Sequence, residues 1–455
     1  LAGIGRLTHL STLRLNGLGI SDNEVERFVL GPNLTSLSLR DNELGESGVS
    51  ALAHLIRGST SLSKLCVLDL AGNFLCDTGA TALAGVVPRL PNLTSLTLAA
   101  NQIHVTGVAA LAGNIPQCSL LATIDISENE LGCTGAGYLS DALSQLPQLT
   151  SLNLSCNVVG ARGAVAVTDA AMLLGDTLTL LDLSSNRIDH NGVAALREAL
   201  GETLSLQTLN LGGNILGRAG GAALGPGLAE VPHLTHLDLS NCELGVEGAQ
   251  SLAVHLPSAS NIKCLLLDNN CVRTLGAAAI SPQLPHLTSL TWLGLSCNEI
   301  AAPGAKSLSE ALRKTSRLAH LNLSWNVLGQ TGCEAVMDAL LTCPWVELAD
   351  LRGSLPKPTV PTHLFSLRPS HCLYACPWLC GSLCGRVCVS VSPDIVHPWT
   401  SHVSLSADHT ALVSILQCRS PSLSRQQVAV CTHRLQCLHW QAVFQLELTI
   451  NEMLQ

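Results

Sequence analysis

The feature that most constrains this chain is a spacing. The triplet L-x-x-L-x-L, with leucine or isoleucine at each apolar position, occurs at 10/13/15, 34/37/39, 65/68/70, 93/96/98, 121/124/126, 149/152/154, 178/181/183, 206/209/211, 234/237/239, 262/265/267, 290/293/295 and 318/321/323. Three residues after each of the later eleven triplets stand Asn42, Asn73, Asn101, Asn129, Asn157, Asn186, Asn214, Cys242, Asn270, Asn298 and Asn326. Their spacing is 28 residues in eight of ten intervals, with one of 29 and one of 31. Six residues beyond each comes a glycine, from Gly48 to Gly332. A register held this long specifies one packing unit repeated many times. A doubly wound α/β domain also alternates strand and helix, but its elements vary in length.

Within one unit, as in "HLTHLDLSNCELGVEGAQSLAVHL" from His233, the apolar period changes from two to 3.6. Two leucines of the triplet therefore share one face of a short strand, and the residue between them is expected to face solvent. The Asn sits where the chain leaves the strand, and its amide can bond backbone groups without a ladder partner. Cys242 is a weaker donor at that position but compatible with it. The glycine is expected to open a returning helix and bring it close to the strand, with Ser47, Thr78, Thr106, Thr134, Asn191 and Thr331 as N-caps. Ala249, Leu252, Ala253 and Leu256 form a helical stripe facing the strand. No unit covers its own apolar face, so the units must stack.

This pattern resembles the leucine-rich repeat across residues 7–345, and its 28/29-residue period resembles the ribonuclease-inhibitor-like class. The resemblance implies an α/β leucine-rich-repeat solenoid, a horseshoe with a concave parallel β-sheet and convex helices. Geometry agrees, because strands stack about 4.8 Å apart while helices need about 8–10 Å, so the stack bends toward the sheet. Composition fits repetition too: 47% of residues are apolar, yet Phe 4, Trp 6 and Tyr 2 are the only aromatics.

The period ends after "LADLRGSLPKPTVP", where Pro356, Pro358 and Pro361 mark a break. A solenoid of about twelve repeats is expected over 1–353, and an irregular Cys-rich tail over 354–455, either disordered or a frame-shifted or unspliced end. Cys372, Cys376, Cys380, Cys384 and Cys388 lack the paired C-x2-C form of most zinc knuckles. Residues 372–391 reach the length of a membrane span with Arg386 as their one charge, but Pro377, Gly381 and Gly385 interrupt them. Cys431, His433, Cys437 and His439 offer ligand chemistry at no familiar spacing. The chain begins at Leu1 and reads as a fragment.

Up to Gly353 there are 18 Lys+Arg against 29 Asp+Glu, a balance of -11, and beyond it 6 against 4, or +2. The repeat region thus favours a basic partner over nucleic acid or an anionic membrane. Its eleven cysteines are scattered, mostly beside apolar residues (Cys66, Cys156, Cys264, Cys297), a pattern expected of buried free thiols in the reducing cytoplasm.

No phosphate loop, H-E-x-x-H or G-x-S-x-G occurs, and the nine histidines of the repeat region occupy varied repeat positions. The expectation is therefore no enzyme, no catalytic residue, no metal and no cofactor. The sequons at Asn33, Asn92, Asn153 and Asn322 are generated by the repeat itself.

What the sequence offers is a surface. Asp69, Asp125, Asp182 and Asp238 fall between strand leucines and alternate with neutral residues, with Asp41 and Glu128 beside them. They read either as an acidic stripe for a partner's Lys and Arg or as soluble filler. Leu266, Trp292 and Trp325 read as anchors at the C-terminal end, or as packing between repeats. The expected function is a scaffold holding a folded, basic protein partner on the concave face. The resemblance also extends to the sensor region of NOD-like receptors and to Ran GTPase-activating proteins, whose acidic segment after the repeats this tail lacks.

Overall fold

Twelve of the thirteen strands from Thr12 to Asp350 follow the apolar triplets. In the computed structural model, residues 9–58, 60–354 and the backbone of 372–374 are described. The chain divides into two units, residues 1–375 and 376–455, and the second lies outside the described residues.

Strand and helix alternate as β1 (Thr12–Arg14), α1 (Asp22–Val25), β2 (Ser36–Ser38), α2 (Glu46–Gly58), β3 (Val67–Asp69), α3 (Cys76–Ala84), β4 (Ser95–Thr97) and α4 (Val105–Ala112). They continue as β5 (Thr123–Asp125), α5 (Gly132–Leu143), β6 (Ser151–Asn153), α6 (Gly160–Leu173), β7 (Leu180–Asp182), α7 (His190–Leu200), β8 (Thr208–Asn210) and α8 (Gly217–Gly227). Then come β9 (His236–Asp238), α9 (Gly245–His255), β10 (Cys264–Leu266), α10 (Arg273–Ile280), β11 (Trp292–Gly294), α11 (Ala302–Leu312), β12 (His320–Asn322), α12 (Gly329–Leu341) and β13 (Leu348–Asp350). A fourteenth strand, β14 (Cys372–Tyr374), pairs in parallel with β13. The sheet order is the chain order throughout, with every neighbour parallel and the central leucines in register, as Leu209↔Leu237↔Leu265↔Leu293.

Repetition produces one continuous core. Leu234, Leu237 and Leu239 are buried, as are Ala249, Leu252 and Ala253 on the helix that packs behind them and Leu256 just after it. The sequence count of twelve repeats misses one, because the thirteenth reads Val346, Ala349, Leu351 and Ser354 in place of the usual leucines and asparagine. All four are buried.

The asparagines form a ladder that joins each repeat to the one before it. Asn129 Oδ1 accepts from the N–H groups of Asn101 (3.0 Å) and Ile103 (2.9 Å), while its Nδ2 donates to the carbonyls of Leu98, Ile126 and Ser127. Asn298 repeats this with the N–H groups of Asn270 and Val272 and the carbonyls of Leu267 and Ser296. Both amides are buried, so these bonds replace water that cannot reach the turn. The Cys242 thiol donates to the carbonyls of Leu211 (3.2 Å) and Ser240 (3.5 Å), and burial pushes it up to about 12. It therefore remains a protonated donor. Ser354 takes the asparagine's place in the thirteenth repeat, its Oγ accepting from Asn326 N–H and donating to Leu323 O.

Two expectations about the helices need correction. The recurrent glycine makes room at the start of its own helix and, in α6 and α10, against the preceding helix, not against the strand: a Cβ on Gly163 would stand 2.6 Å from Val159 Cγ1 at the helix start and 3.0 Å from Ala136 Cβ of α5. On Gly276 it would stand 2.7 Å from Val272 Cγ1 and 3.1 Å from Ala249 Cβ of α9. The six polar residues before the glycines also lie inside the first turns, since the helices begin earlier, at Glu46, Cys76, Val105, Gly132, His190 and Gly329. Aspartates satisfy several of these N-termini instead. Asp189 accepts from Asn191 and Gly192 N–H, Asp77 accepts from His104 and Gly107 N–H, and Asp22 accepts from Gly45 N–H. The last two reach across from the preceding repeat, a link that no local N-cap pattern reveals.

Candidate interaction surface

A pleated strand sends both neighbours of its central leucine to the face away from the helices. The register accordingly aligns two outward rows. One row precedes the leucine and reads Ser36, Val67, Ser95, Thr123, Ser151, Leu180, Thr208, His236, Cys264, Trp292, His320 and Leu348. The other follows it and reads Ser38, Asp69, Thr97, Asp125, Asn153, Asp182, Asn210, Asp238, Leu266, Gly294, Asn322 and Asp350. Sequence reasoning located the second row and, apart from Trp292, missed the first. The same period of two would have found it.

The second row is less exposed than its alternation implies. Asp69, Asp125 and Asp238 are half-buried, whereas Asp182 is only 2% exposed and Ser38, Asn210 and Gly294 are buried. These side chains have backbone duties. Each accepts from the N–H two residues on: Asp69 from Ala71, Asp125 from Ser127, Asn153 from Ser155, Asp182 from Ser184, Asn210 from Gly212, Asp238 from Ser240 and Asn322 from Ser324. An Asp or Asn thus closes the turn at the strand's end, which is why "LDLS" and "LNLS" recur. Asp182 also accepts from Asn210 Nδ2.

Two adjacent repeats carry no polar side chain for this bond. Leu266 and Gly294 cannot close their turns, and Asp268 crosses to the next repeat, accepting from both the N–H and the Oγ–H of Ser296 at 2.6 Å. Its Oδ2 occupies the space where a Cβ on Gly294 would lie. Burial raises Asp268 to about 6 and Asp182 to about 7, and also raises Asp238. None of the three has an ion pair among the described residues.

Beyond the strands, the residue before each ladder position has a left-handed backbone. This row includes Asp41 (φ 55°), Glu128 (φ 54°), Cys297 (φ 53°) and Trp325 (φ 56°), all exposed. Non-glycine residues are strained there, and the Asn ladder holds the turn closed around them. Trp325 lies against Gly353, where a Cβ would come 2.6 Å from its ring, yet it keeps 59% exposure. Trp292 is half-buried with its ring 4.7 Å from that of His320, tilted by 33°.

The eleven described cysteines form no disulfides. Of the four expected to be buried, Cys264 is, Cys66 and Cys156 are half-buried, and Cys297 is exposed because its turn directs it outward. No helix among the described residues is long and apolar enough to cross a membrane, and no group of three metal-ligating side chains assembles among them. The metal and membrane readings of the tail, including Cys431, His433, Cys437 and His439, lie outside the described residues, apart from the backbone of 372–374.

The Leucine Rich repeat family matches residues 32–53, 89–112, 145–167, 177–196, 232–253, 286–309 and 318–337. No curated protein matches the chain. Among solved structures, the chain is similar to an internalin (inlF) from Listeria monocytogenes at 20% identity, over 75% of this chain and 87% of that one, with a TM-score of 0.47. The seven family matches fall on the same strand-and-helix unit that the register, the buried leucines and the asparagine ladder define: residues 32–337 are built of leucine-rich repeats.

Proposed function

We propose that this protein is an interaction scaffold of the ribonuclease-inhibitor-like kind, holding a folded protein on the outward face of its sheet. The observation that carries this reading is the row from Ser36 to Leu348. It runs along the whole sheet, most of its members are half-buried, and it has none of the turn-closing bonds that occupy its neighbour row. Such side chains can be exchanged between binding surfaces without disturbing the fold. The aspartates contribute negative potential, and with the -11 balance of the repeat region they favour a basic partner. A reducing, cytoplasmic location accords with eleven cysteines that form no disulfide among the described residues.

The test is affinity capture with cross-linking mass spectrometry, using the full chain beside Ser95→Arg/Thr123→Arg and Trp292→Ala/His320→Ala variants. A partner cross-linked beside the strands and lost in one of these variants supports the reading. A partner cross-linked only along α2–α12 and retained by both variants overturns it.

A further inference from the structure

We infer that the partner is gripped on the β9–β13 half of the sheet by a basic, apolar segment, with an Arg or Lys lying along Trp292 and its charge meeting Asp238 and Asp268. This rests on the scaffold reading above and adds where the contact lies and what chemistry it recognises.

This half of the face carries more apolar and aromatic side chains than the rest, where Ser and Thr predominate. From β10 to β13 the first row presents Cys264, Trp292, His320 and Leu348, and the second presents Leu266 and the bare backbone of Gly294 before Asn322 and Asp350, whose charge Arg352 meets. Burial pushes the Cys264 thiol up to about 12, so it acts as an uncharged, weakly polar surface. Leu266, Trp292, His320 and Leu348 keep partial exposure, and an apolar set gathered on one sheet face marks a contact site.

Charge identifies the occupant. Ser296 binds Asp268 through Oδ1 alone, leaving Oδ2 at the Gly294 gap, two residues along the strand from Trp292. Asp238 lies beside Leu266 in the register. Neither outward row carries a Lys or Arg from β9 to β13. Both carboxylates are held partly desolvated without a counter-ion, a cost that an incoming cation offsets. A guanidinium or ammonium with an apolar stem satisfies both features at once, the stem on the indole face and the head at the carboxylates. An acidic or wholly polar segment satisfies neither.

The experiment pans a short-peptide display library on the full chain and measures the selected peptides against variants confirmed folded by circular dichroism. The expected ligands place Arg or Lys next to aliphatic or aromatic residues. Their affinity should fall at least about tenfold in Trp292→Ala and in Asp268→Asn, survive Trp292→Phe, and remain unchanged in Ser95→Arg/Thr123→Arg. It should also weaken with added salt and as pH falls below about 6, where Asp268 is protonated. Ligands lost only in Ser95→Arg/Thr123→Arg would sink this inference and leave the scaffold reading standing. Ligands indifferent to every sheet variant count against both. Absence of enriched peptides, or enrichment without basic residues, overturns the basic-segment inference alone.

Discussion

The sheet face over β2–β8 and the face over β9–β13 stand on one backbone and differ in their outward side chains. The first presents mainly Ser and Thr with Asp and Asn that bond their own turns. The second presents Cys264, Leu266, Trp292, His320 and Leu348 around two carboxylates without counter-ions. The buried leucines, the asparagine ladder and the helix glycines continue through both halves without change of register. Stability and surface are thus carried by different positions of the same repeat. Recognition can change along the sheet while the fold does not.

That separation can be broken most directly at the ladder. Asn129→Ala in the first half and Asn298→Ala in the second each strip the partners from buried backbone N–H and C=O groups, and each should lower unfolding free energy by about 3 kcal/mol in urea titration. Clearly unequal losses would show that the two halves are not one scaffold.

Gly163→Ala and Gly276→Ala form the next matched pair. Each added Cβ collides with the valine at the start of its own helix and presses on an alanine of the preceding one, and each should cost about 1–3 kcal/mol by the same measurement. The seam between the halves offers a gain instead. Cys242→Asn restores an acceptor facing the N–H groups of the preceding turn, and should raise the thermal midpoint, corresponding to about 1 kcal/mol.

The smallest effect is specific to the second half. Asp268 is raised from 3.8 to about 6, so between those values the folded chain holds a proton that the unfolded chain has lost. Wild-type stability should therefore fall as pH rises through that window and remain lower above it. Asp268→Asn keeps the acceptor for Ser296 and removes the charge, so denaturant midpoints at pH 4.5 and 7.5 should draw together by roughly 1 kcal/mol. The fall that remains in the variant, running up to about pH 7, is expected from Asp182 in the first half.

Much of this was legible before any coordinates. The triplets located twelve of the thirteen strands before β14, because a strand buried on one face must place its apolar residues at a fixed period. The thirteenth escaped because Ala349 and Ser354 fill the leucine and asparagine positions with smaller side chains of compatible chemistry. The site was less legible. Asp182 reads as an outward carboxylate, but the bond from Asn210 and the tight stacking of strands bury it.

By itself, then, the sequence determined the repeat, its register and which residues turn inward, since these follow from periodicity and from each residue's own chemistry. The tertiary structure decided what depends on the neighbouring repeat: that glycines let helix approach helix, that Asp22 and Asp77 cap helices of the next repeat, and that Asp268 replaces the missing side chain of Gly294. These partners lie about one repeat away in the chain and touch only because stacking brings equivalent positions side by side, a distance that local pattern cannot span.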